Sequence, residues 1–140
     1  FAKILNQFNV EYIAVHDSDI PKCLKQGSVS GNGAWGSNVS IMNECSKSKK
    51  PMVFIQIPHF EGLFFKNFNP SNKVETVTSV LSNNLTPEYK AIFDTYSRIL
   101  NKDPSVFISS NEKMIDMYHA FYASNKNQIE TLKNPEIWIL

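Results

Sequence analysis

A chain of 140 residues suits one domain with a core of its own, and 42% hydrophobic against 19% charged residues excludes a disordered polymer. A formal net charge of +1 excludes a global basic field for nucleic acid, so any anionic partner must be met by a local patch or by bound metal. Cys23 and Cys45, with no CxxC and no His at zinc spacing, exclude a disulfide scaffold and a zinc site and fit a reducing cytosol.

The opening FAKILNQFNV has neither the charged start of a signal peptide nor an initiator Met, and reads as a piece of a longer chain. Ile4, Leu5 and Phe8 have helical spacing, so Ala2 to Phe8 is expected to be a helix stopped by Asn9. Val10 to Val15 is β-rich and largely apolar, the composition of a strand covered on both faces. Ile20 to Asn38 holds Pro21 and four glycines and is expected to be loop, with Ser37 or Asn38 capping a helix to about Ser48 whose Val39, Ile41 and Met42 face inward. A basic turn, KSKKP, leads to a second buried strand, Met52 to Ile57, which Pro58 ends.

Phe60 to Phe65 predicts a short apolar helix and Asn67 to Lys73 a loop. Helices are expected over Val74 to Ser82 and Pro87 to Leu100, the second with Tyr89, Ile92, Phe93, Tyr96, Ile99 and Leu100 on one broad stripe. Pro104 to Ile108 is expected as a short third strand, and Asn111 to Ser124 as a helix with Met114, Ile115, Met117, Tyr118 and Phe121 inward. The tail, Pro135 to Leu140, reads as an edge strand. The order of elements predicts an α/β layer with parallel strands, and no run approaches the roughly 18 to 20 apolar residues of a membrane span.

In such a sheet ligands bind beyond the carboxyl ends of the strands, where VEYIAVHDSD delivers Asp17 and Asp19 and where Glu61 follows the second strand. Side chains alternate on extended backbone, so the two aspartates are expected to point the same way. Two carboxylates repel unless a cation lies between them, and hard oxygen donors suit Mg²⁺ or Mn²⁺ rather than zinc or copper. The competing readings are a solvated turn for the DxD and a dipole-favoured helix-start acid for Glu61. His16 reads as a packed strand-end residue, and His59 as lining the turn. Lys113, in the first turn of its helix, is mildly disfavoured by the dipole, which fits a phosphate contact as well as a solvated lysine. GSVSGNGAWGSN lacks GxxxxGK[ST], so a P-loop is rejected; Trp35 is expected to anchor that loop, and KSKKP to be solvated or to touch a DNA backbone.

HDSD after VEYIAV, GNGAWGSN opening a helix, IPHFEGLF after MVFIQI, and a helix-borne Lys113 together resemble the Toprim domain of the overcoming-lysogenisation-defect nuclease family, from the first helix to about Ser124. The resemblance implies a compact α/β Toprim domain over residues 1–140, with a central, mainly parallel sheet flanked by helices and a helical insertion. It implies metal-dependent DNA cleavage in anti-phage defence, with an ABC-type ATPase domain upstream that handles ATP, assembly into a homo-oligomer, and a defence-system partner in the cytoplasm. Asp17, Asp19 and Glu61 would hold two Mg²⁺ or Mn²⁺ ions, and Lys113 would stabilise the transition state. A further glutamate of the family lies on a strand before the first helix and has no counterpart here. Two alternatives remain: a degenerate Toprim module kept for assembly or DNA docking, and a haloacid-dehalogenase-type phosphatase, whose DxD normally runs on toward Gly-Thr where this chain has Ile20-Pro21. A phospho-receiver domain is disfavoured by the two-helix insert at 74–100.

Overall fold

The computed structural model describes residues 1–60, 73–82 and 86–140. Its elements run α1 (Ala2–Gln7), β1 (Ala14–Asp17), β2 (Lys22–Lys25), β3 (Ser28–Gly31), α2 (Gly33–Cys45), β4 (Val53–Gln56), α3 (Lys73–Ser82), α4 (Pro87–Leu100) and α5 (Asn111–Ile129), with 3₁₀ turns at Pro104–Val106 and Pro135–Trp138. β1 and β4 pair in parallel, Ala14 opposite Val53 and Asp17 opposite Gln56.

The two faces of β4 divide the molecule. Val53 and Ile55, at 1% and 2% exposure, turn toward Met42 and Cys45 of α2 and Met114 of α5, which fill the main core with Ile108. Phe54 and Gln56 alternate to the other face. There Tyr96 of α4 sets its ring edge-on to Phe54, centroids 6.0 Å apart, and its hydroxyl accepts from Gln56 Nε2. Helices therefore cover both sides of the parallel pair, the α/β arrangement that the sequence predicts.

β1 begins at Ala14, later than the strand expected from Val10, because the Val10 N–H is used by the Leu5 carbonyl at 2.9 Å in the turn off α1. α1 packs through Ala2, while Ile4 and Phe8 are 55% and 74% exposed. Its link to α2 is polar: Asn6 Nδ2 donates to the Glu44 carbonyl at 2.8 Å.

Ile20 to Asn38 is not loop throughout. β2 and β3 form an antiparallel ribbon across the two-residue turn Gln26-Gly27, where φ is +50° and +80°. Positive φ at both turn residues matches the right-handed twist of the strands, and glycine takes it without strain. α2 starts at Gly33, one turn before the expected cap, because Asn32 Oδ1 accepts from the Ala34 N–H at 3.0 Å. The earlier start turns Trp35, Asn38, Met42 and Cys45 inward and leaves Val39 46% exposed. Trp35 does anchor the segment: its ring lies edge-on to Tyr118, centroids 4.7 Å apart.

Two expected strands are 3₁₀ turns. At Pro104–Val106 the missing proline N–H and the Asp103 cap, whose side chain accepts from the Ser105 N–H, favour a turn. The Ile108 N–H, donating to Val53 O at 2.9 Å, meets the edge of β4. The tail turns at Pro135 and buries Trp138 against Ile129, and the Tyr118 hydroxyl donates to the Trp138 carbonyl at 3.0 Å. α4 matches its predicted span, capped by Thr86, with Ile99 buried but Leu100 77% exposed. α5 carries Met114 and Tyr118 inward as expected and runs on to Ile129. Of the helix expected at Phe60 to Phe65 and the loop after it, residues 61–72 lie outside the described residues. Among the described residues no helix is long and apolar enough to cross a membrane.

Candidate functional site

Asp17 closes β1, and the residue after it is clamped on three sides. Ser18 is fully buried; its N–H donates to Gln56 O at 2.9 Å and its hydroxyl to Pro58 O at 3.2 Å. Its carbonyl accepts from Asn38 Nδ2 of α2 at 2.8 Å. The Asp19 N–H donates to Pro58 O at 2.7 Å. Asp19 itself has φ +59°, a left-handed conformation that aspartate tolerates because its short polar side chain bonds locally. The backbone is therefore not extended through Asp19, and the alternation that predicted two parallel carboxylates does not govern its direction.

Asp17 is half-buried, and its Oδ1 accepts from the Phe60 N–H at 2.9 Å. This bond spans 43 residues and brings the chain after β4 onto the first acid. Glu61, the next residue in sequence, lies outside the described residues. Among the described residues no group of three His, Cys, Asp or Glu is placed to hold a metal. The donors that are described still suit Mg²⁺: it takes one or two carboxylates and completes its shell with water and phosphate oxygens. Asp17 Oδ2 makes no hydrogen bond among the described residues.

His16 shares the core face of β1 with Ala14, and its Nδ1 lies 3.0 Å from Asp17 O. It is a packed strand-end residue, as expected. His59 is half-buried in the turn after β4. Lys113 is exposed in the first turn of α5, where its N–H donates to the Ser110 cap at 3.3 Å. α5 shares the main core with α2: Met114 belongs to the same cluster as Met42 and Cys45, and Tyr118 sets its ring against Trp35. Among the described residues no hydrogen bond or ion pair joins Lys113 to Asp17. The KSKKP turn lies at the amino end of β4, where Lys47 pairs with Glu44 at 2.7 Å and Lys50 with Glu11 at 3.9 Å.

Four residues of this neighbourhood escape sequence reasoning: Ser18, Asn38, Gln56 and Tyr96. Only Gln56 leaves a signal, as the one polar side chain within MVFIQI. Tyr96 accepts from Gln56 Nε2 and sets its ring against Phe60, centroids 6.1 Å apart. Burial, chiefly, and the nearby Asp17 carboxylate both raise the Tyr96 phenol above its ordinary pKa, so it keeps its proton at neutral pH. The site is therefore a short acidic loop fixed at the carboxyl end of a parallel pair, with a protonated phenol beside it. No family model, no curated protein and no solved structure matches the chain.

Proposed function

We propose that the chain is the nuclease domain of a metal-dependent DNA endonuclease of the Toprim type, serving anti-phage defence beside a separate ATPase domain. The observation that carries this reading is the bond from the Phe60 N–H to Asp17 Oδ1, which sets the residue ahead of Glu61 against the first acid of the DxD. It brings the chain that leads into Glu61 to the end of the sheet where ligands bind in folds of this class. A bound Mg²⁺ or Mn²⁺ polarises a phosphoryl oxygen and activates water. Asp17 and Asp19 hold that cation, with Glu61 as third acid. The clamps on Ser18 fix the loop in advance, and Tyr96 offers a neutral O–H to a phosphate oxygen. Lys113 counters developing charge only if substrate reaches across to α5. DNA is the substrate, a homo-oligomer the assembly, and the cytoplasm the setting.

A second reading, a Toprim module kept for docking DNA, is favoured by the exposed position of Lys113, which no hydrogen bond or ion pair among the described residues joins to Asp17. Plasmid cleavage with Mg²⁺, Mn²⁺ or EDTA, in the parent and in Asp17→Asn and Asp17→Ala, separates the two. Asp17→Asn keeps an oxygen for the Phe60 N–H and loses only the charge. Metal-dependent cutting abolished in both variants supports the nuclease; a variant that cuts at the parental rate sinks it. DNA bound but uncut under every metal supports the docking module.

A further inference from the structure

The base of the β2–β3 ribbon is fastened to the acid loop. Asn32 Nδ2 donates to Ile20 O at 2.9 Å and the Asn32 N–H to Pro21 O at 2.9 Å, one and two residues after Asp19. β2 also packs against the tail turn at Pro135–Trp138, so the base is buttressed and the tip projects. The ribbon is cationic: between Ile20 and Asn43 there is no Asp or Glu, and Lys22 and Lys25 stand within it. Among the described residues neither lysine pairs with a carboxylate, unlike Lys47, Lys50 and Lys102 elsewhere. Leu24 and Val29 face each other across the strands, each 42% exposed, an apolar pair held out to solvent.

We propose that the ribbon Lys22–Gly31 enters a groove of duplex DNA and holds it beside the Asp17 loop. A two-stranded β-ribbon is one of the two elements that the major groove of B-DNA admits. Two paired strands of four residues, about 4.8 Å apart, make a ribbon narrow enough for a groove about 12 Å wide. Lys22, on the face of the Leu24–Val29 pair, and Lys25, on the opposite face beside the turn, contact phosphates on either side of the ribbon, which position the duplex without reading its sequence. The Leu24–Val29 pair packs on the groove floor. Lysines beside an exposed apolar pair would also suit an anionic membrane surface. Ribbon geometry and a base tied to an acidic loop favour the duplex. This inference rests on the nuclease reading and names the arm that presents its substrate.

The test is binding of a fluorescent 20-base-pair duplex by anisotropy, in EDTA, from 50 to 200 mM salt. The proteins are the parent, Lys22→Ala/Lys25→Ala, the tip variant Lys25→Ala, Leu24→Ser/Val29→Ser and Asp17→Ala. Losing two phosphate contacts lowers the slope of log K against log salt by about 1.8. The parent-to-variant affinity ratio should therefore shrink about 12-fold across that range, with half the slope change in Lys25→Ala. Leu24→Ser/Val29→Ser should weaken binding at an unchanged slope, and Asp17→Ala, which removes a carboxylate that repels phosphates when no metal is bound, should bind no more weakly than the parent. Parental binding and slope in all ribbon variants overturn the inference and leave the nuclease reading standing. Ribbon-dependent binding with cleavage that survives Asp17→Ala keeps the arm and removes the nuclease. A parent that binds no duplex, or whose ribbon variants lose only binding to anionic vesicles, overturns the arm.

Discussion

Tyr118→Phe isolates one buried hydroxyl whose partner is known. Tyr118 has no exposed surface, and its hydroxyl donates to the Trp138 carbonyl at 3.0 Å. Its removal keeps the ring contacts with Trp35 and Phe121 but takes this donor from a carbonyl in an apolar cluster. Stranding a buried acceptor costs about 1–3 kcal/mol, and a 2 kcal/mol loss lowers Tm by roughly 6 °C in a domain of this size. Burial pushes the Tyr118 phenol well above its ordinary pKa of 10.0, so the folded state prefers the protonated form. A raised pKa gives stability that is complete below the unfolded value and is lost as pH rises above it. The loss proceeds at about 1.36 kcal/mol per pH unit and is absent from the Phe variant. A deficit of about 2 kcal/mol at pH 8 should thus close near pH 11.5. Urea melts of both proteins at pH 8, 10, 11 and 11.5 read the difference, in which the other tyrosines cancel. Equal stability at pH 8, or a deficit that stays constant to pH 11.5, would refute the reasoning.

Asp103 accepts from Ser105, side chain and backbone, and from Arg98, which together hold its carboxyl pKa down at about 2. Its contribution is present above the unfolded value of 3.8 and is lost as pH falls through about 2. A carbon-detected NMR titration should give that low midpoint, and Asp103→Asn should flatten the acid limb of stability below pH 4; a midpoint near 3.8 removes the basis. At the ribbon turn, Gly27→Ala places a side chain at φ +80° and should cost about 1–2 kcal/mol, whereas Gln26→Asn should stabilise by less than about 1 kcal/mol. Opposite shifts in urea midpoint check the pair, and a neutral Gly27→Ala would mean the turn relaxes.

α4 and α5 were legible because their apolar stripes repeat over many turns, and β4 because an apolar run ends at a proline. The ribbon was missed for a physical reason. Gln26-Gly27 is a weaker turn signal than Asn-Gly, and KCLK and SVSG bury too little to show a period of two. Helix α2 began early because the Asn32 cap and Trp35 packing outweigh Gly33 and Gly36, whose propensity argues against a helix. Of the site, the DxD is a local pattern and could be read. Its supports could not: Asn38, Gln56 and Tyr96 reach it only through tertiary contacts, and Asp19 leaves extended backbone at a residue whose sequence neighbours do not require it.

The bonds that hold the Asp17 loop join residues 20, 40 and 43 positions apart. Each needs a long loop closed before it gains anything, so the loop forms late, once β4 and α2 are already in place. Where those contacts are unmade, Asp17 and Asp19 sit on slack chain with no fixed geometry. The fold acts as a licence: the site exists only in molecules that have completed it, and its loss in a melt should coincide with global unfolding rather than precede it.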